Sequence, residues 1–176
     1  MDVIEAIRTR RSVRKYLSQP LDDDVLSRMF DALRFAPSAC NYQPWRFIIV
    51  CERQRREAIA RASHDQMFIA QAPVIIVGCG IPDRAYKRMG GYGNSVDVDL
   101  AIALDHLTLA AAECGLGTCW IGAFDEKAVK DIVRIPETVK VVALTPLGYP
   151  AEPGLLRPIE DNERKPRNEV IAFERF

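Results

Sequence analysis

The stretch Ser95–Cys114 (SVDVDLAIALDHLTLAAAEC) has helical composition and no continuous polar face. A helix that is apolar on nearly all sides has to be covered on nearly all sides. In a chain of 176 residues this makes 95–114 the central element, buried all round and covered in part by a second subunit. Gly115 and Gly117 follow it, where helices commonly end on glycine.

The flanking sequence supplies what such a helix can pack on. Asp2 and Glu5 have capping-box spacing, ahead of a short helix carrying Val3, Ile4 and Ile7. Asp22–Asp24 starts a second helix, with Val25, Leu26, Met29, Phe30 and Leu33 at helical spacing; it ends before Pro37. Residues 53–62 form a polar-faced helix, and Asp125 caps another that runs through Val133 and stops at Pro136. Strands are expected at Trp45–Cys51, Pro73–Cys79, Thr118–Ile121 and Val139–Leu147. Residues 82–94, with Pro82, Gly90, Gly91 and Gly93, read as loop. The tail from Ala151 carries prolines 153, 158 and 166 and reads as an extended arm, 151–176, of one domain spanning 1–176. Helices and strands alternate without a strict βαβ rhythm, so the class is α+β.

Charge and composition exclude several functions. Lys+Arg and Asp+Glu are both 24, unlike the basic balance of a protein that coats nucleic acid. No run approaches the roughly 18 apolar residues of a membrane span. The N-terminus is charged from its second residue and lacks a signal-peptide core, so a cytoplasmic protein is expected. The five cysteines include no CxxC, and Cys51 and Cys79 lie in apolar runs as expected buried thiols. Neither His64 nor His106 sits in a metal-ligand pattern, so no metal site is expected; His106 reads as a core or interface residue. P-loop, Rossmann and GxSxG motifs are absent, and no side-chain set for hydrolysis stands out. An enzyme of this kind takes its chemistry from a bound cofactor.

Three segments carry potential chemistry. Arg8–Lys15 (RTRRSVRK) places Arg8, Arg10, Arg11, Arg14 and Lys15 around Ser12. Guanidinium groups and a hydroxyl suit a phosphate monoester. A solvated basic turn, or ion pairing to Glu160, Asp161 and Glu163, is the competing reading. Pro37–Trp45 (PSACNYQPW) offers small residues and two amides, Asn41 and Gln43, able to read the edge of a planar heterocycle; it equally suits a plain helix-to-strand loop. Its Cys40 has no neighbouring histidine to activate it as a nucleophile. In Gly115–Asp125 (GLGTCWIGAFD), Gly122 allows a flat ligand to approach the backbone, and Trp120 reads as core.

Taken together and in order, RRSVRKY, PSACNYQPW, DLAIALDHLTLAAAECGLGTCWIGAFD and the tail RKPRNEVI resemble the nitroreductase-like FMN flavoprotein family over nearly the whole chain. The resemblance implies an α-β-α sandwich with a mainly antiparallel central sheet, assembled as an intertwined homodimer with FMN at the subunit interface. Arg10, Arg11, Ser12 and Arg14 would hold the FMN phosphate and ribityl chain. Arg164 and Lys165 would return to that phosphate, with Arg167 a competitor for register. Pro37, Ser38, Ala39, Asn41 and Gln43 would be laid against the flavin by the partner subunit. Cys119, Trp120, Ile121 and Gly122 would pass the ring and offer it backbone amides. Segment 82–94 fits no assignable motif; in the family this region commonly shapes the acceptor pocket. The implied reaction is ping-pong: NADH or NADPH reduces the flavin, then a nitroaromatic, quinone or similar acceptor takes the electrons, with no catalytic acid or base from the protein. Alternatives are dehalogenation or flavin fragmentation, as in specialised members, or a flavin-binding redox sensor in which Cys40 matters most.

Overall fold

The structure is a computed structural model and describes residues 1–152 and 154–176; Pro153 lies outside the described residues. In chain order it contains α1 (Val3–Thr9), α2 (Asp23–Arg34), β1 (Trp45–Val50), α3 (Arg53–Ala62), β2 (Val74–Gly80), α4 (Val96–Glu113), β3 (Gly117–Thr118), α5 (Glu126–Val133), β4 (Lys140–Gly148) and α6 (Arg167–Val170). The four strands form one antiparallel sheet in the order β1-β2-β4-β3. α2 and α4 cover one face and α3 and α5 the other, giving the expected α-β-α sandwich.

Strand alternation assigns the two faces. Val74 and Ile76 of β2 join Met29, Leu33, Leu100, Leu104 and Leu107, while Ile75, Val77 and Cys79 join Ile59 and Val129 on the other side. In β4 the alternation breaks: Val142 and Ala143 both face α4. The β2–β4 register shifts at Gly78/Cys79, and an inserted residue of this kind turns two consecutive side chains to one face.

Local signals explain the element ends. The Asp2 carboxylate accepts from the Glu5 N–H at 2.8 Å, and Asp125 accepts from the Ala128 N–H at 3.0 Å. Such N-caps satisfy donors that the first helical turn leaves unpaired. Gly115 ends α4 with φ +71. α5 ends earlier than Pro136 requires, because Arg134 adopts the left-handed conformation at φ 57.

In the single chain one side of α4 packs into the core, while Val98, Asp105 and His106 are exposed and Ile102 and Leu109 half-covered, on the side for which the sequence expects cover from a second subunit. His106 therefore belongs to an open helix face and not to this chain's core. The structure corrects other expectations. Cys51 falls one residue past β1 and is exposed, whereas Cys79 is buried as expected. The strand expected at 118–121 is only Gly117–Thr118 plus an isolated bridge from Ile121 to Leu144. Segment 82–94 contains a 3-10 turn at Pro82–Arg84 and a tight turn closed by Met89 and Gly93.

Candidate functional site

The basic segment leaves α1 along the outer edge of the sheet. Ser12 forms a parallel bridge with Thr118, and the Val13 N–H donates to the Thr118 carbonyl at 2.8 Å. Gly117 makes this approach possible, since a Cβ there would stand 2.8 Å from the Val13 Cβ. Val13 is buried, and the Tyr16 hydroxyl donates to its carbonyl at 2.7 Å. Burial pushes the Tyr16 phenol well above its ordinary pKa, so it stays a neutral donor.

Past Thr118 the edge opens. Ile121 exchanges backbone hydrogen bonds with Leu144 at 2.9 and 3.0 Å. Neighbouring amides in extended chain point to opposite sides, so the Trp120 and Gly122 N–H groups turn outward. Neither has a hydrogen-bond partner among the described residues. A Cβ on Gly122 would meet nothing within 4 Å, which leaves open space above the backbone. Trp120 is 43% exposed, a rim residue and not the core residue its composition suggested.

Cys119 marks where the cations converge. Burial pushes its thiol pKa up, while the nearby Arg14, the Ser12 hydroxyl and Arg10 pull it down. Arg10, Ser12 and Arg14 thus gather at the start of the open edge. Arg10 and Arg14 form no ion pair among the described residues. Arg14 has one long contact, 3.5 Å, to the Ser12 carbonyl.

Arg11 takes a different direction. Its guanidinium donates to the carbonyls of Arg157 and Pro158 at 3.0 and 2.9 Å and pairs with Glu163 at 2.9 Å. Glu163 also accepts from Arg157 and from the Glu160 N–H. Hydrogen bonds from Arg157, the Glu160 amide and Arg11 hold its carboxyl well below the usual carboxylate range. The basic segment therefore divides: Arg11 pairs with Glu163, while Arg10 and Arg14 have no ion-pair partner among the described residues. The clasp also sets the tail. The Ile159 N–H donates to the Arg8 carbonyl at 2.7 Å, and Arg164, Lys165 and Arg167 line a groove with Ile7 and Arg8. Both register candidates, Arg164–Lys165 and Arg167, share that groove.

The loop Pro37–Gln43 is built by strain and by one buried acid. Cys40, Asn41 and Gln43 have φ values of 52, 55 and 49, a region that non-glycine residues rarely occupy. The Gln43 N–H donates to Ser38 Oγ at 2.9 Å, and the Gln43 amide nitrogen donates to the Asn41 carbonyl and side-chain oxygen at 3.1 and 3.2 Å. Asp99 of α4 fixes the whole loop by accepting from the Ala39 N–H at 2.9 Å. Asn41, Gln43 and Cys40 stay exposed at the tip.

In one chain these two parts do not meet. The loop is tied to Asp99, near the start of α4, and the cationic segment lies against Gly117, just past its end. From Asp99 to Glu113 an α-helix rises about 21 Å at 1.5 Å per residue. The unpartnered side of α4 lies along that interval. Asp99 was not singled out in the sequence, whereas Glu163 is one of the three tail acids named there as ion-pair partners of the basic segment, and it pairs with Arg11. The signal for Asp99 is an acid in the first turn of an otherwise apolar helix.

The family model described as "Nitroreductase family" matches residues 7–82 and 66–149. A Methanothermobacter thermautotrophicus protein named NADH dehydrogenase/NAD(P)H nitroreductase is 37% identical over 168 residues, 93% of this chain and 85% of its own. A Bacillus subtilis protein named FMN reductase [NAD(P)H] is 28% identical, covering 89% of this chain and 69% of the relative. Among solved structures, a nitroreductase family protein from Clostridium difficile 630 superposes with a TM-score of 0.88 at 26% identity, covering 100% of both chains.

Proposed function

This chain belongs to the nitroreductase family, and from that premise we propose that it is an NAD(P)H-dependent FMN oxidoreductase whose two sites are shared between the subunits of a homodimer. The observation that carries the reading is the cation pair Arg10 and Arg14, unpaired among the described residues, beside an open strand edge where the Trp120 and Gly122 amides likewise have no partner among the described residues. These donors suit a ligand with a phosphate at one end and a flat, acceptor-rich ring at the other, and FMN is such a ligand. Bound there, FMN would supply the hydride chemistry between NADH or NADPH and an acceptor.

The protein's part is binding and positioning. Arg10, Arg14 and the Ser12 hydroxyl grip the phosphate with charge-assisted hydrogen bonds. Arg11 holds the tail against Arg8 through Glu163, beside the groove that Arg164 and Lys165 line with Ile7 and Arg8. Residues Cys119–Gly122 would offer their backbone to the ring. The outward N–H groups of Trp120 and Gly122 stabilise negative charge where it develops, as preorganised donors do. The open space at Gly122 admits the flat ring to the backbone.

Pro37, Ser38, Ala39, Asn41 and Gln43 close the site from the partner subunit. The support for this is the length of α4 that separates the two segments within a chain, together with the open helix face between them. An antiparallel pairing of two α4 helices puts one subunit's loop beside the other's Arg10 and buries Val98, Ile102 and Leu109. Residues 1–176 act as one unit, with 151–176 as its arm. Nitroaromatics, quinones and related compounds are the proposed acceptors, taken in turn with the nicotinamide on one face. No helix among the described residues is long and apolar enough to cross a membrane, and we place the activity in the cytoplasm.

The test is the visible absorption spectrum of the purified protein before and after anaerobic NADH, then NADPH, followed by a quinone. A flavin spectrum that bleaches and recovers is the expected result. A flavin that stays oxidised with both nucleotides would favour the sensor reading. A colourless protein that does not take up added FMN would overturn the assignment.

A further inference from the structure

Asp99 is a buried acid with no part in the chemistry proposed above. The other acids of α4, Asp97, Asp105 and Glu113, are exposed, whereas Asp99 is 3% exposed. Its two oxygens serve two different segments. Oδ1 accepts from the Ala39 N–H at 2.9 Å, and Oδ2 accepts from the Ser95 hydroxyl at 2.7 Å. Ser95, 2% exposed, then holds Tyr86 at both backbone groups: Ser95 Oγ accepts from the Tyr86 N–H at 3.1 Å, and the Ser95 N–H donates to the Tyr86 carbonyl at 2.9 Å.

A continuous polar path therefore runs Ala39–Asp99–Ser95–Tyr86. It joins the strained loop 37–43 to segment 82–94. That segment is otherwise lightly held. Its remaining bonds are mostly local, such as Asn94 to Pro82 and Met89 to Gly93, and Asp83, Arg84, Lys87, Arg88 and Tyr92 are exposed. The path is shielded from water at Asp99 and Ser95, so breaking one bond strands a buried polar group, which costs more than the bond itself contributes. Displacing Ala39 leaves a bare carboxylate oxygen; displacing Tyr86 leaves the Ser95 hydroxyl without its donor.

We propose that Asp99 is a positioning residue that couples the two segments, with Ser95 as its relay, so that a ligand held by loop 37–43 also orders segment 82–94. The proposal rests on the reading of loop 37–43 as a flavin contact. Coupling of this kind is reciprocal. A ligand that orders 82–94 from the acceptor side tightens the grip of loop 37–43 by the same factor. The device links cofactor occupancy to the shape of the segment next to it without either segment touching the other's ligand.

Limited trypsinolysis of the full-length protein tests this, since the coupled segment carries Arg84, Lys87 and Arg88. Cleavage after these three residues is followed by mass spectrometry with and without FMN, while FMN binding is measured separately by fluorescence titration. In the wild type, FMN is expected to slow cleavage at 84–88 by at least about fivefold, the lower range of usual coupling energies. Ser95→Ala is expected to bind FMN and lose that protection. Asp99→Ala is expected to lose it too, and Asp99→Asn to regain it, because asparagine can accept from Ala39 and donate to Ser95. Ser95→Cys, which keeps the volume and weakens the hydrogen bond, replaces Ser95→Ala should that variant fail to fold. Equal protection in wild type and the Ser95 variant would overturn the coupling, as would FMN binding to the wild type with no protection. A wild type that binds no FMN would instead overturn the flavin reading on which the proposal rests.

Discussion

Val13 and Gly117 lie so close that a single methyl group on the glycine would stand 2.8 Å from the valine Cβ. Through this contact the basic segment is carried on the sheet edge. Gly117→Ala is expected to push Val13 off β3 and shift Arg10 and Arg14 with it. Overpacking of this sort costs about 1–3 kcal/mol. Denaturant unfolding should show that loss, and a flavin titration should show weakened FMN binding. A stable Gly117→Ala protein with unchanged FMN affinity would refute the role given to this contact.

Arg10→Ala should release FMN. A hydrogen bond to a charged group contributes about 1.5–3 kcal/mol, so FMN affinity should fall by roughly 10- to 150-fold. Because the interaction is ionic and partly exposed, the wild-type affinity should also decline with salt. An Arg10→Ala protein that purifies fully loaded with flavin would sink the assignment of Arg10.

Arg11 and Glu163 predict a pH signature. Glu163 has a folded-state pKa below its unfolded value, so its contribution is complete above the unfolded value, near 4.3, and is lost as pH falls through the lower folded value. The amide of Ile159, bonded to Arg8 across the clasp, reports it by hydrogen exchange corrected for intrinsic rates. Protection should persist through the ordinary glutamate range and decline only below it. In Glu163→Gln, the Ile159 amide should exchange faster at every pH. Protection that collapses between pH 5 and 4 would contradict the pairing.

The separation of loop and cationic segment along α4 predicts complementation between chains. An Arg10→Ala chain is mixed with a chain carrying Asn41→Ala and Gln43→Ala. In a mixed dimer with shared sites, one site has both defects and the other has none. One tightly held FMN per mixed dimer is expected, whereas each parent dimer should hold none tightly. If each chain builds its own site, the mixed dimer will hold none either.

Leu109→Glu places a charge on the open face of α4, half-covered in the single chain. Sedimentation should show the dimer weakened or lost. FMN binding should fall with it, although Leu109 lies in neither binding segment.

Much of this was readable from residue order. The apolar run 95–114 announced the central helix and an absent covering surface, and Asp2 and Asp125 announced their caps because those bonds span only three residues. Features set by distant partners were not readable. Pairing of RTRRSVRK to the tail acids was readable, but that Arg11 and Glu163 are the partners depends on a contact across 152 positions. The expected strand 118–121 shrank because its edge is only partly paired, which local β-propensity does not encode. Trp120 looked like core by type, but its place on the sheet rim leaves it exposed. Asp99 drew no reading of its own from the sequence, because its value lies in what the tertiary fold brings to each oxygen.

The Arg11–Glu163 clasp joins two residues that are 152 positions apart in the chain. During synthesis the chain emerges N-terminus first, so the basic segment waits for both β3 and the tail. Until residue 163 has left the ribosome, Arg11 lacks its counter-ion and remains an additional cation competing for any phosphate nearby. A chain cut ahead of Glu163 would therefore keep the whole basic segment and lose the clasp that sets the tail against Arg8.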